Sequence, residues 1–220
     1  MRFTESPVIN LTVGNKTLSF HQDNASMHVG TTVWPASLVL VKFIERWSSS
    51  PNNNPYQTLT NFTNKRAIEL GTGCGVAAMG LYLLGLTNIL LTDIPPVLPA
   101  LKHNLKKNKP TLGKMLKIGV LDWNKVDQVG AVNAPFDIVV AADVVYIVEH
   151  VQGLVEAMWS LVSDEGVVLL GYQVRCVDAD VRFWDECGKV FSVEKVPRED
   201  LHPEYAFEES DVFVLRKKKM

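Results

Sequence analysis

The spacing of hydrophobic and polar positions changes at intervals along the chain, and these changes predict its helices and strands. From residue 66 onward, short apolar runs such as RAIEL and NILLTD, typical of buried strands, alternate with longer segments whose apolar residues recur at helical spacing. This alternation predicts right-handed crossovers and a largely parallel sheet. The last two predicted strands, FSVEKV and DVFVLR, have no helix between them, so we expect one of them to run antiparallel at an edge. The predicted fold class is α/β, with a seven-stranded, mostly parallel sheet and helices on both faces.

The first third of the chain follows a different pattern. Residues 8–20, VINLTVGNKTLSF, alternate around a Gly-Asn pair, which predicts a β-hairpin. Pro35 then opens an amphipathic helix. Residues 48–64 are polar and rich in asparagine, and we interpret them as a surface loop or insertion that buries little apolar surface. We therefore predict a single domain over residues 1–220, with residues 1–34 as an N-terminal hairpin extension.

Composition restricts the classes of function. The chain has 220 residues and a formal net charge of −2 with both signs interspersed, so no basic face for nucleic acid is expected. The one basic cluster, residues 216–219, is interpreted as a solvated tail. The three cysteines lie far apart without a C-x-x-C pair, which argues against a metal site or a disulfide framework and favours a reducing compartment. The polar N-terminus and the interrupted apolar runs predict neither a signal peptide nor a membrane span. We expect a cytoplasmic location, possibly also nuclear.

A glycine-rich turn joins the first strand of the alternating region to the following helix. Its sequence, ELGTGCG, has the spacing G-x-G-x-G and lacks the G-x-G-x-x-G of dinucleotide-binding loops. Glu69 precedes the turn and would repel a diphosphate. Gly71 and Gly73 allow a ligand to approach the backbone closely, and the helix N-terminus favours an anion, either a carboxylate or a phosphate. On its own, the loop is equally consistent with a tight strand-to-helix turn.

Further candidate ligand-contact residues stand where the predicted strands end. Ligands of open parallel sheets bind at the carboxyl ends of the strands. Asp93 can accept both hydroxyls of a ribose, although it can also cap the helix predicted to start at Pro95 or Pro96. Asp122 and Trp123 can frame an adenine, or Trp123 can be a core residue at a strand end. The fourth strand is followed by Ala142, Asp143 and Tyr146.

Together these positions describe a nucleoside attached to a small zwitterion, which is S-adenosylmethionine. The segments ELGTGCG, LTDIPPVLPALKHNLKKN, LDW and DVVY, in this order, resemble the class I methyltransferases. More narrowly, they are similar to the methyltransferase-like family of eukaryotic protein-lysine methyltransferases, whose G-x-x-V-W segment matches residues 30–34. The resemblance implies a Rossmann-like fold, S-adenosylmethionine as cofactor and S-adenosylhomocysteine as product.

The site residues follow from the strand ends and from this resemblance. The predicted cofactor-binding residues are Trp34, Glu69, Gly71, Thr72, Gly73, Asp93, Asp122, Trp123 and Ala142. The D-x-x-Y match implies a catalytic pair, in which Asp143 positions the amine and Tyr146 lines its channel; the alternatives are a helix cap and a core aromatic residue. We predict no dedicated general base. Arg175, which follows the fifth strand, is interpreted as a surface or loop-holding residue.

The expected partner is a protein that presents a lysine. The resemblance implies a non-histone cytosolic protein such as a chaperone, an AAA ATPase or a translation factor, and we expect a monomer without nucleic-acid or membrane partners. The alternatives are methylation of a small molecule, an N-terminal amine or RNA, a nucleotide-binding dehydrogenase, and a cofactor-binding protein without turnover. Neutral charge and the absence of an N-P-P-Y tetrad disfavour RNA, and the glycine spacing disfavours the dehydrogenase.

Overall fold

The N-terminal hairpin is present as expected. The computed structural model describes residues 5–50 and 54–219, so residues 1–4 of the predicted extension and 51–53 of the predicted loop lie outside the described residues. Strands β1 (Val8–Val13) and β2 (Lys16–His21) pair antiparallel and turn at Gly14, whose φ of 58° a residue without a Cβ adopts readily.

The remaining strands form one mostly parallel sheet, as predicted. They are β3 (Ala67–Leu70), β4 (Ile89–Asp93), β5 (Lys117–Val120), β6 (Phe136–Ala142), β7 (Val162–Tyr172), β8 (Phe191–Lys195) and β9 (Asp211–Lys217). The order across the sheet is β5-β4-β3-β6-β7-β9-β8, and β9 is antiparallel to both of its neighbours. The prediction that one of the last two strands runs antiparallel is confirmed, but its predicted place at the edge is wrong. The apolar side chains of β9 explain its inner position, because Val212, Val214 and Leu215 are fully buried, whereas β8 buries only Phe191.

Helices cover both faces of this sheet. They are α1 (Pro35–Ser48), α2 (Gln57–Thr60), α3 (Val76–Leu83), α4 (Leu98–Leu112), α5 (Val126–Ala131), α6 (Val151–Leu161) and α7 (Val177–Val190). Along β6, alternate residues join different cores: Ile138 and Val140 pack with α1, α3 and α4, whereas Val139 packs with α6 and α7. Alternation of this kind means that the two cores lie on opposite faces of the sheet.

The N-terminal hairpin is fixed to α4 by two buried asparagines. Asn104 accepts a hydrogen bond from the backbone N–H of His21 at 2.7 Å and donates to its carbonyl oxygen at 3.0 Å. Asn108 makes the same pair of bonds to Ser19, at 2.8 and 2.9 Å. The two amide groups thus act as a surrogate third strand for the hairpin.

Two interpretations of polar segments need correction. Residues 54–64 contain α2 and bury Tyr56, Leu59 and Phe62 in the core beside α1, so the expectation that this stretch buries little apolar surface is wrong. These apolar residues recur every three positions, but the run is only seven residues long and each stands singly among polar ones, so the sequence pattern was too short to indicate burial. The basic tail is likewise shorter than predicted, since β9 runs to Lys217 and pairs Arg216 with Glu194 at 3.1 Å.

Candidate functional site

A cavity of about 690 Å³ opens at the carboxyl ends of the central strands. The sheet order changes direction here, since β3 is followed by β4 and β5 on one side and by β6 on the other. Parallel sheets bind ligands at such switch points. The structure brings together every predicted site residue in the lining of this one cavity: Trp34, Glu69, Gly71, Thr72, Gly73, Asp93, Asp122, Trp123, Ala142, Asp143 and Tyr146.

Asp93 holds the glycine-rich loop in position. The N–H of Gly73 donates to its Oδ2 at 2.7 Å, and the N–H of Ile94 donates to its Oδ1 at 2.8 Å. Helix α4 begins later, at Leu98, with Val97 at its N-cap, so Asp93 is not the cap of that helix. Burial raises the pKa of Asp93, while the two N–H bonds act in the opposite direction. Each carboxylate oxygen retains a lone pair for a ligand in the cavity.

The strap that precedes α1 lies directly on this loop. We use "strap" for residues 22–34, of which residues 27–30 and 32–34 line the cavity. A Cβ on Gly73 would lie 2.9 Å from the carbonyl oxygen of Gly30, and the φ of Gly73 is 56°. The close approach and the left-handed backbone both require glycine at this position.

Glu69 is buried beneath the loop. Its carboxyl accepts hydrogen bonds from the hydroxyl of Thr72 and from the N–H of Ala78, the latter at 3.2 Å. Burial raises the pKa of Glu69 to about 8. The two hydrogen bonds lower this pKa, whereas the nearby charge of Asp93 raises it further. The side chain is therefore protonated at neutral pH in this state of the protein.

We expect this buried carboxyl to make folding stability depend on pH. A raised pKa means that the folded protein binds the proton between about pH 4.5 and pH 8, whereas the unfolded chain has released it. The contribution of Glu69 is thus most favourable at low pH and is lost as the pH rises through this window. Urea titrations measure the free energy of unfolding at each pH. This free energy should fall less steeply with rising pH in Glu69→Gln than in the wild-type protein. If the free energies of unfolding of the two proteins change with pH in the same way from about pH 5 to pH 9, the raised pKa of Glu69 is contradicted.

Trp123 and Asp122, which follow β5, also line the cavity. The ring of Trp123 lies against Gly71, where an added Cβ would be 3.2 Å from it. Its indole nitrogen is buried without a hydrogen-bond partner, and the side chain is half-buried at the cavity. Asp122 accepts two hydrogen bonds from Asn124 at 3.1 Å each, and its second oxygen lies 3.8 Å from the ammonium of Lys125.

The predicted catalytic carboxylate is already paired. Asp143 accepts hydrogen bonds from Arg175, from Nε at 2.7 Å and from a terminal nitrogen at 2.6 Å, and its side chain is 2% exposed. Its backbone has a φ of 61°, which is rare for residues other than glycine and is concentrated at functional sites. Nearby, burial raises the pKa of the Tyr146 phenol, with the charges of Asp93 and Asp143 acting in the same direction. Tyr146 is therefore a neutral phenol at physiological pH.

Sequence reasoning missed two parts of this site. Arg175 is no mere surface residue, because it binds Asp143 and places its guanidinium 4.6 Å from the ring centre of Trp34. The only available signal was its place after β7, beside the strand that carries the D-x-x-Y segment. Met27 and Val29 also line the cavity, and nothing in their spacing distinguishes them from other residues of the extension.

The lining fits S-adenosylmethionine. Asp93 offers free lone pairs at the end of β4, and Val76, the first residue of α3, lines the same cavity, where the helix N-terminus favours a carboxylate. The half-buried ring of Trp123 provides an apolar face to the cavity. The expected repulsion of a diphosphate by Glu69 does not hold, because this carboxyl is protonated at neutral pH; Asp93 instead occupies the N–H of Gly73 in the loop.

The described residues offer neither a metal centre nor a membrane-spanning helix. Across residues 5–50 and 54–219, no group of three or more His, Cys, Asp or Glu side chains is arranged to hold a metal ion. Within these ranges, none of the helices has the length and apolar character needed to cross a bilayer. All three cysteines are free thiols, and two of them, Cys74 and Cys187, are buried.

Comparison with known proteins agrees with the geometry. A family model described as lysine methyltransferase matches residues 12–189. The protein N-lysine methyltransferase METTL21A of Danio rerio is 30% identical over 195 residues, 87% of this chain and 83% of that protein. The protein-lysine methyltransferase METTL21E of Bos taurus is 30% identical over 76% of this chain and 55% of that protein.

Solved structures show the same fold at lower identity. The rRNA methyltransferase RsmC of T. thermophilus, solved with AdoMet and guanosine, superimposes with a TM-score of 0.62 and 18% identity over 96% of this chain and 50% of that chain. A putative methyltransferase from Streptococcus mutans gives a TM-score of 0.61 at 10% identity over 98% of this chain. The chain therefore belongs to the lysine methyltransferase family, as its motifs indicate.

Proposed function

We propose that this protein transfers a methyl group from S-adenosylmethionine to the ε-nitrogen of a lysine in a protein substrate. The observation that carries the proposal is the single cavity in which the cofactor-type residues and the D-x-x-Y pair meet. The names of the relatives, which specify protein N-lysine methylation, support a protein acceptor. We further propose a soluble cytosolic substrate and a monomeric enzyme, in keeping with the mixed surface charge.

The cofactor-binding roles divide between three parts of the cavity. The free lone pairs of Asp93 accept the ribose hydroxyls, and the N-terminus of α3, which follows the glycine-rich loop, receives the carboxylate of the amino acid portion. Asp122 and Trp123 enclose the adenine, and Trp34 closes the other side. When bound, the cofactor supplies a sulfonium methyl that is already activated for transfer. The protein therefore needs only to align the acceptor nitrogen and exclude water.

The acceptor lysine must lose a proton before it can react. With a pKa near 10.4, only about one lysine in 2,500 is neutral at pH 7, which corresponds to about 4.6 kcal/mol. Burial in the cavity and the nearby sulfonium charge both lower that pKa. Asp143 positions the amine through a lone pair that Arg175 leaves free, and the neutral Tyr146 lines its path. Neither residue is assigned as a base.

Substitutions in this pair should separate turnover from cofactor binding. We expect Asp143→Ala and Tyr146→Phe to slow methyl transfer at least tenfold, because the amine is no longer aligned, and to change cofactor affinity by less than about threefold. Tritiated S-adenosylmethionine and a eukaryotic cell extract, resolved on a gel, measure the transfer; calorimetry measures the affinity. Asp185→Ala and Tyr82→Phe change the same residue types outside the cavity and serve as matched controls.

The same assay tests the proposed function itself. A discrete labelled protein band that fades with Asp143→Ala supports protein methylation, and acid hydrolysis of that band should release methyl-lysine. Label that disappears after nuclease treatment, or that stays in the small-molecule fraction, would refute the protein acceptor. Cofactor binding with no labelled product in any fraction would favour a binding protein without turnover.

A further inference from the structure

We infer that Arg175 is a positioning residue of this site: by pairing with both oxygens of Asp143 it cancels the charge of that carboxylate, so that a lysine amine beside it can lose its proton. The inference rests on the proposed function and adds a residue to it. Arg175 does not itself line the cavity, and it acts through Asp143 and Trp34.

The geometry of the pair supports a fixed electrostatic role. The guanidinium of Arg175 binds Asp143 in the two-pronged arrangement that only arginine offers to a carboxylate, with both distances at or below 2.7 Å. Its side chain is 21% exposed and that of Asp143 is 2% exposed, so water screens the pair poorly. The face of the guanidinium stacks 4.6 Å from the ring centre of Trp34, which restricts its rotation.

Neutralisation of Asp143 matters because the reactive form of lysine is the neutral amine. A carboxylate without a partner favours the ammonium form of an adjacent lysine and raises its pKa, by about 1 to 3 units at contact distance. Each unit lowers the fraction of reactive amine about tenfold near neutral pH. A carboxylate that already has a guanidinium partner can still accept a hydrogen bond from the amine without this penalty.

Other titratable groups face the same cavity and must be kept constant in any test. The carboxyls are Glu69, Asp93, Asp122 and Glu149, and the remaining groups are His28, Cys74, Tyr146 and His150. These groups are identical in the wild-type protein and in variants of residues 143 and 175. A difference in the pH dependence of transfer between such variants therefore reports on the pair.

The test is the initial rate of tritium transfer to one labelled extract band from pH 6.5 to pH 9.5, at saturating cofactor. Arg175→Met keeps the length of the side chain but removes its charge, so the substrate ammonium replaces the guanidinium as the partner of Asp143. We expect transfer at pH 7 to fall at least tenfold, the deficit to shrink as the pH rises, and the apparent KM for the substrate to fall or stay constant. Saturating cofactor keeps the rate independent of cofactor affinity, which calorimetry measures separately because Arg175 also contacts Trp34.

Two further variants fix the interpretation. Arg175→Lys keeps the charge and should retain the wild-type pH profile at a reduced rate, because it loses the two-pronged geometry. Asp143→Asn leaves the guanidinium charge uncompensated and should shift the profile in the opposite direction, to lower pH. This opposite shift keeps the inference testable if Arg175→Met does not fold.

Several results would overturn the inference. A wild-type rate in Arg175→Met would contradict it. So would a rate reduced by the same factor at every pH, because that result describes a purely structural role. An unshifted profile for Asp143→Asn is equally incompatible. If the wild-type protein binds the cofactor but labels no protein, the proposed function fails and the inference fails with it. If the wild-type protein labels a protein but neither variant shifts the pH profile, only the inference fails.

Discussion

Asp93→Ala should weaken S-adenosylmethionine binding by about a hundredfold or more. Two losses combine in this variant: the charge-assisted hydrogen bonds to the ribose disappear, and the N–H of Gly73 loses the acceptor that holds the glycine-rich loop. Hydrogen bonds to charged groups contribute about 1.5 to 3 kcal/mol each, so two of them account for a hundredfold change. Isothermal titration calorimetry of the purified variant measures the effect directly.

Two control variants make the result specific to the ribose assignment. Asp93→Asn keeps a carbonyl oxygen for one backbone N–H but removes the charge. Its affinity for the cofactor should lie between those of the wild-type protein and the alanine variant. Asp137→Ala removes a carboxylate outside the cavity that also accepts a backbone N–H, that of Arg66 at 2.8 Å. Unchanged affinity in Asp93→Ala would contradict both the ribose assignment and the proposed effect of the Gly73 bond on binding.

The double variant Asn104→Ala/Asn108→Ala should lower the free energy of unfolding by about 4 kcal/mol. Each asparagine is at most 2% exposed and satisfies both backbone groups of one β2 residue. Loss of a partner for partly buried polar groups costs about 1 to 3 kcal/mol per site. Urea denaturation followed by circular dichroism gives the value, with Lys106→Ala, an exposed position on the same helix, as control.

The same variant should also weaken cofactor binding, although neither asparagine lines the cavity. Strand β2 leads directly into the strap, where Gln22 accepts a hydrogen bond from the N–H of Val33 at 2.7 Å. A displaced hairpin therefore displaces the strap over the glycine-rich loop. Destabilisation with wild-type cofactor affinity would contradict this connection and would confine the role of the asparagines to folding.

Local patterns in the sequence were sufficient to predict the sheet and most of the cavity. The glycine spacing at 71–75 and the acidic residues at strand ends are local features, and parallel topology places such ends at one edge. The predicted residues therefore meet in one cavity, and their individual roles in cofactor binding stay predictions.

Contacts between distant segments could not be predicted. Arg175 and Asp143 are 32 positions apart, and their pairing depends on the register of β6 against β7. The asparagine contacts join residues 83 and 89 positions apart. They depend on two similar spacings: the two asparagines are four helix residues apart, a rise of about 6 Å, and their partners are two strand residues apart, a rise of about 6.7 Å. One sequence does not reveal which helix face meets which strand.

The inner position of β9 has a consequence for the order in which this protein assembles. Within the described part of the chain, strand β8 pairs only with β9, yet β9 is synthesised after it, about sixteen residues further along the chain. While the chain emerges from the ribosome, β8 has no neighbour in the sheet, and the outer side of β7 stays unpaired. One late event, the insertion of residues 211–217 between these two strands, then closes both gaps and joins β8 to the sheet.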